Sequence, residues 1–248
     1  MSTHRTPARN PPQRAWKEGS AITGPVTHSV IQSVARSAVP LTDLLTGIPV
    51  VPVVVLDSAQ CVPALAAALR DGGLPCAEVT LRTPGALEAL RAFTKQPGVL
   101  VGAGSVTTAA QVDQVVEAGA RFVVSPGFSE QVLDRCRSRG VPALPGVATA
   151  TEIMRALDAG VDVVKVFPAG QLGGPGGLRG LAAPFPGLRL VPTGGVRAAE
   201  LADYLALDAV AAVGGSWMVA ADLVRTGRYD EVRRLAQECV RIAREVRP

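Results

Sequence analysis

A single-domain α/β chain closed into a (β/α)8 barrel is the fold this sequence predicts, and three observations predict it. Eight short β-branched runs begin near Val50, Ala77, Val99, Arg121, Val141, Val161, Leu188 and Val210, spaced 20 to 27 residues apart. A turn rich in Gly, Pro, Ser or Thr follows each run, and then an Ala/Leu-rich stretch with helical spacing, which is the alternation of a parallel sheet. The first run ends in Leu56-Asp57-Ser58 with no Gly-rich turn behind it, so the signature of a doubly wound dinucleotide-binding sheet is missing. Eight βα units in roughly 200 residues fit a closed barrel.

Taken in order, residues 1–40 hold Pro7, Pro11, Pro12, Pro25 and Pro40 among many Ser and Thr, without sustained periodicity, and read as a flexible basic extension. Residues 41–248 read as the barrel domain. The helical patterns include Val62-Leu65-Ala66-Leu69, Val112-Val115-Val116 and Ile153-Leu157. Ser58, Pro84, Thr107, Ser129 and Thr149 are the expected helix starts. Past the eighth run, Val232, Leu235, Ala236, Cys239, Val240, Ala243 and Val246 follow i, i+3, i+4 spacing, so a terminal amphipathic helix is expected.

Composition excludes several functions. The net charge of +4 is carried entirely by the extension, where Arg5, Arg9, Arg14, Lys17 and Arg36 face only Glu18. The remaining chain is neutral, and none of its few aromatics is interleaved with a basic cluster, so nucleic-acid binding is not expected. Ile48 to Leu56 is the longest apolar run; broken by Pro49 and Pro52, it falls far short of the roughly 18 residues of a membrane helix. Both histidines, His4 and His28, lie in the extension, which removes imidazole chemistry and most zinc sites from the body. Cys61, Cys76, Cys136 and Cys239 form no C-x-x-C pair and read as buried free thiols, fitting a reducing cytoplasm. No secretory signal is expected either, since no apolar stretch follows the basic start.

In such a barrel the chemistry sits at the C-terminal ends of the strands. Lys165 lies in the apolar run Val161 to Phe167 of a chain that holds only three Lys among 25 basic residues. Burial disfavours an ammonium, and the neutral amine is the nucleophile that forms a Schiff base with a ketone; a structural ion pair or a lysine reaching solvent fits the same context. In Glu78-Val79-Thr80-Leu81-Arg82, alternation turns Glu78, Thr80 and Arg82 to the lumen and Val79 and Leu81 to the helices. Glu78 would then transfer protons and Arg82 bind a carboxylate, the alternative being a structural Glu–Arg bridge. Thr193-Gly194-Gly195 and Gly214-Gly215-Ser216 follow the last two strands, where this fold recurrently binds phosphate. Weaker signals are Gly102-Ala103-Gly104-Ser105, Ser125-Pro126-Gly127 and Pro145-Gly146. The Gly-rich loop from Gly170 to Gly177 is expected to be mobile near the barrel mouth.

Seven motifs in order carry a resemblance. They are Ile48-Pro49-Val50-Val51-Pro52-Val53, Glu78-Val79-Thr80-Leu81-Arg82-Thr83, Gly102-Ala103-Gly104-Ser105-Val106, Ser125-Pro126-Gly127, Lys165-Val166-Phe167-Pro168-Ala169, Pro192-Thr193-Gly194-Gly195-Val196 and Gly214-Gly215-Ser216-Trp217. From about residue 44 to 235 the chain resembles the class I 2-keto-3-deoxy-6-phosphogluconate (KDPG) and 4-hydroxy-2-oxoglutarate (KHG) aldolases. The resemblance implies a lyase with Lys165 as Schiff-base lysine and Glu78 as general acid/base. It puts Arg82 and Ser105 at the substrate carboxylate, and Thr193, Gly194, Gly195, Gly215 and Ser216 at the phosphate, with Pro126 and Phe167 lining the pocket. It further implies a homotrimer acting on a phosphorylated keto acid, with no metal and no cofactor. Two departures stand out: Ser105 where the family commonly has Thr, and Gly170 where it commonly has Glu or another polar residue. A phosphogalactonate- or KHG-specific relative is one alternative function. A phosphate-binding isomerase or transferase without covalent catalysis is another, and a sugar-phosphate-binding regulator is a third.

Overall fold

A computed structural model describes residues 40–247. The expected flexible extension over 1–40 lies outside the described residues except for Pro40. Strands and helices alternate as expected: β1 (Val50–Val54), α2 (Val62–Asp71), β2 (Cys76–Thr80), α3 (Ala86–Thr94), β3 (Leu100–Gly104), α4 (Ala109–Glu117), β4 (Val123–Val124), α5 (Glu130–Ser138), β5 (Ala143–Leu144), β6 (Gly146–Val147), α6 (Ala150–Asp158), β7 (Val163–Val166), α7 (Gly174–Ala182), β8 (Arg189–Pro192), α8 (Leu201–Leu205), β9 (Val213–Gly215), α9 (Ala221–Arg225) and α10 (Tyr229–Val246). A short helix, α1 (Leu41–Leu44), precedes them. Every strand pairing is parallel: the order β5-β4-β3-β2-β1-β9 forms one curled sheet and β6-β7-β8 another. Isolated bridges Leu190↔Val210 and Thr193↔Gly214 tie β8 to β9. Only Pro145 separates β5 from β6; proline has no N–H to give to a ladder, and the run expected from Val141 is interrupted there.

Alternation along the strands sorts the apolar side chains into two clusters. Val50, Val54, Ala77, Val79, Val101, Ala103, Val164, Val166, Leu190 and Val213 face outward and pack with the helices. Val51, Cys76, Leu100, Phe122, Val124, Leu144, Val163, Val191 and Ala212 face inward and meet Leu41, Leu44, Leu45 and Ile48 from α1 and the turn after it. The inner cluster lies toward the N-terminal ends of the strands and forms an apolar floor. Glu78 follows Cys76 and Lys165 follows Val163 by two residues, so both side chains rise about 7 Å above that floor on the same inner face.

Helix ends follow local chemistry. Ser129 and Thr149 cap α5 and α6 as expected, and Thr149 forms a reciprocal capping box with Glu152. The cap of α4 is Thr108, one residue beyond the expected Thr107, because Thr108 receives the Gln111 N–H while Gln111 reaches back. Ser58 and Pro84 do not start helices: α2 is preceded by Cys61 and α3 by Gly85. On α6 Ile153 and Ala156 are buried, whereas Leu157 and Met154 face solvent. The terminal helix α10 is longer than its pattern and buries Val232, Ala236, Cys239 and Ala243, with Leu235, Val240 and Val246 partly buried beside them; full burial of a side chain such as Val232 contributes about 1.5–3 kcal/mol. Cys76, Cys136 and Cys239 are buried free thiols and Cys61 is half-buried; burial pushes the Cys136 and Cys239 thiols up to about 12. Among the described residues no helix is long and apolar enough to cross a membrane.

Candidate active site

At the centre of the inner face the Lys165 Nζ donates to Glu78 Oε1 at 3.1 Å. Both side chains are almost completely enclosed, at 4% and 3% accessibility, and a buried pair of this kind persists only with good geometry. Gly104 provides that geometry. Thr80 pairs with Gly104 across the β2–β3 ladder, and a Cβ at residue 104 would stand 2.2 Å from Glu78 Oε1 and 2.7 Å from its Cγ. The carboxylate therefore occupies the space that any larger residue would fill. Beneath it, the Cys76 thiol is pushed far up, by burial first and by the Glu78 charge second. The Phe167 ring covers the other side of the amine, with Nζ 5.4 Å from the ring centroid.

The expected carboxylate-binding residues meet beside this pair. Arg82, just past β2, donates from Nε to Ser105 Oγ at 3.0 Å. Ser105 follows Gly104 with a left-handed φ of 58°, a rare conformation for a side chain that is not glycine. Thr80, not singled out from the sequence beyond its face, donates to the Val54 carbonyl and is buried, leaving Glu78 and Arg82 as the polar groups of that strand open to chemistry.

The glycine loops meet one another at the ends of β8 and β9. The Thr193↔Gly214 bridge brings Thr193-Gly194-Gly195 against Gly214-Gly215-Ser216. Gly194 and Gly195 take φ of 86° and 73°, and a Cβ on Gly194 would lie 2.7 Å from the Phe167 ring. Phe167 thus joins the lysine to the glycine loops. Ser216 is exposed at the rim, and Thr193 is buried with its hydroxyl donating to the Val191 carbonyl. Exposed Pro126 presents its carbonyl to Gly146, the register partner of Lys165. These contacts link Lys165 to Glu78 and Phe167, Phe167 to Gly194, and Arg82 to Ser105, while Glu78 and Ser105 both adjoin Gly104. The contribution of Gly104 was missed in the sequence, where it read only as part of a tight turn.

A family model described as KDPG and KHG aldolase matches residues 41–235. The chain belongs to this aldolase family. A 2-dehydro-3-deoxy-phosphogluconate aldolase of Treponema pallidum (strain Nichols) is 46% identical over 201 residues, covering 81% of this chain and 96% of the relative. The KDPG aldolase of Legionella pneumophila, solved with pyruvate captured at low pH as a covalent carbinolamine intermediate, has a TM-score of 0.76 and 36% identity, covering 80% of this chain and 97% of that one. The KDPG aldolase of Zymomonas mobilis ZM4, solved with 3-phosphoglycerate, has a TM-score of 0.75 and 39% identity over 80% of this chain and 94% of that one. Family membership agrees with the resemblance drawn from the seven motifs.

Proposed function

We propose that this chain is a Schiff-base aldolase that cleaves 2-keto-3-deoxy-6-phosphogluconate to pyruvate and glyceraldehyde 3-phosphate. The observation that carries this reading is the enclosed Lys165–Glu78 pair at 3.1 Å, set between a guanidinium and two glycine loops. The parallel pairings, the β8–β9 bridges and the single residue between β5 and β6 support a closed eight-stranded barrel over residues 41–248, with β5 and β6 as halves of one strand.

Arg82 and Ser105 hold the substrate carboxylate, which places its C2 ketone over Nζ. Lys165 passes a proton to Glu78 along their hydrogen bond and attacks C2 as the neutral amine, giving a carbinolamine. Glu78 returns the proton to the leaving hydroxyl, water departs, and an iminium remains. Glu78 then takes the proton of the C4 hydroxyl. The C3–C4 bond breaks, its electrons flow into the iminium to form an enamine, and the phosphorylated aldehyde leaves. Protonation at C3 and addition of water release pyruvate and restore the amine. Enclosure by Phe167 and the apolar floor excludes bulk water during these steps. Thr193, Gly194, Gly195, Gly215 and Ser216 hold the phosphate through backbone N–H groups and the serine hydroxyl. By family, the assembly is a homotrimer, which light scattering on the full chain tests.

A pyruvate-release assay over KDPG, its galactonate-derived epimer and KHG tests the activity, with Lys165→Arg as control. KDPG is expected to be cleaved fastest and the arginine variant to be inactive despite keeping its charge. Cleavage of none of the three acids by folded protein would overturn the reading.

A further inference from the structure

From the loop after β7 we infer that Gln171 is a specificity-determining residue that binds the phosphorylated end of the substrate; this rests on the aldolase reading above. The chain leaves β7 after Val166 and passes through buried Ala169, whose N–H donates to the Thr193 carbonyl, so the first free position is residue 170. That position has no room for a side chain, because a Cβ there would lie 2.8 Å from the Gly195 carbonyl oxygen. Its backbone is already committed, the Gly170 N–H donating to the Gly194 carbonyl at 2.9 Å. Residue 170 therefore acts as backbone only, stitched to the glycine loop after β8, and the first side chain that can reach over that loop is Gln171. It does so: Gln171 Oε1 stands 3.2 Å from where a Cβ on Gly195 would be. The exposed side chain has no hydrogen-bond partner among the described residues.

The chemistry of the amide suits this place. The segments Thr193–Val196 and Gly214–Trp217 contain no Lys or Arg, and Arg197, next along, is paired with Glu200. An anion seated on these loops meets backbone N–H groups and a hydroxyl, and a neutral side chain with two N–H donors at the rim adds to them at little desolvation cost. A half-turn of the amide about its last bond exchanges Oε1 for Nε2 and points those donors at a phosphate oxygen. Arg82 and Ser105 follow β2 and β3, not the strands that carry these loops, so Gln171 serves the end of the substrate that leaves as aldehyde and has no part in holding the pyruvate half.

The test compares wild type, Gln171→Ala and Gln171→Glu by steady-state cleavage of KDPG and by borohydride trapping of pyruvate alone, which reports only the lysine and the carboxylate end. Gln171→Ala is expected to raise KM for KDPG roughly tenfold, the size of one hydrogen bond to a charged group. Gln171→Glu, which sets a carboxylate against the phosphate, is expected to raise it further, with trapping of pyruvate as efficient as in wild type. Wild-type KM in both variants, or a parallel loss of trapping, would overturn the assignment while leaving the aldolase intact. Failure of the wild-type chain itself to trap pyruvate or cleave KDPG would overturn the aldolase reading and this assignment with it.

Discussion

Replacing Gly104 with alanine tests whether the position of the Glu78 carboxylate sets the rate. The added Cβ would stand 2.2 Å from Oε1, 2.7 Å from Cγ and 2.8 Å from Cδ of Glu78. Ordinary contact between such atoms is about 3.5 Å, so the carboxylate must move by about 1 Å and its 3.1 Å bond to Lys165 must lengthen or break. The φ of Gly104 is not among the positive values recorded for the described residues, so alanine fits the backbone and the effect falls on Glu78. Overpacking of this kind costs about 1–3 kcal/mol, and for a chain of this size each kcal/mol lowers Tm by about 2–4 °C. A misplacement of about 1 Å at the reacting groups costs on the order of a hundredfold in rate. The expected outcome is a folded variant with a modestly lower Tm and kcat for pyruvate release down about a hundredfold. A variant with the expected drop in Tm and wild-type kcat would refute the reasoning, because Glu78 would then have left its place without consequence.

Three further outcomes are expected. Arg82→Ala removes the guanidinium that donates to Ser105 at 3.0 Å, and KM for keto acids is expected to rise about tenfold or more; an unchanged KM in steady-state kinetics would place the substrate carboxylate elsewhere. Arg247 donates from Nε to the Leu205 carbonyl at 2.8 Å and from Nη2 to Val210 and Leu207 at 2.8 and 3.3 Å. Arg247→Ala is therefore expected to cost about 2 kcal/mol and to lower Tm by about 4–8 °C in a thermal melt. Glu152 is held below its ordinary value of 4.5, first by the Ala148 N–H and then by the Thr149 hydroxyl and N–H. A depressed carboxylate stabilises the fold above that ordinary value, and the stabilisation disappears as pH falls through the folded one. Tm against pH should therefore fall less steeply below about pH 4.5 in Glu152→Gln than in wild type, and parallel curves would contradict this.

The strand order was legible because each β-branched run is bounded by turns, and seven of the eight expected starts fall within two residues of the observed ones. The last, Val210, makes only an isolated bridge before β9 begins at Val213. Boundaries were less legible: Val141, Val161 and Leu188 are apolar and buried ahead of the strands, where burial alone mimics a strand start. Val79 packs outward and Glu78 inward, as alternation required. The contact between Lys165 and Glu78 spans 87 positions and depends on how the sheet curls, which no local pattern encodes; strand context and resemblance made each residue a candidate, and the fold alone made them partners. The uses of Gly104 and Gly170 were hidden for a related reason. A glycine in sequence looks like a turn, and only register reveals what stands in the space its missing side chain leaves.

Reduction of the full chain with borohydride in the presence of pyruvate, followed by peptide mapping, tests the central claim most directly. One pyruvate is expected to become fixed to the peptide containing Lys165, and none in Lys165→Arg. Protein that releases pyruvate from KDPG yet carries no adduct at Lys165, or carries it on another lysine, would contradict the account.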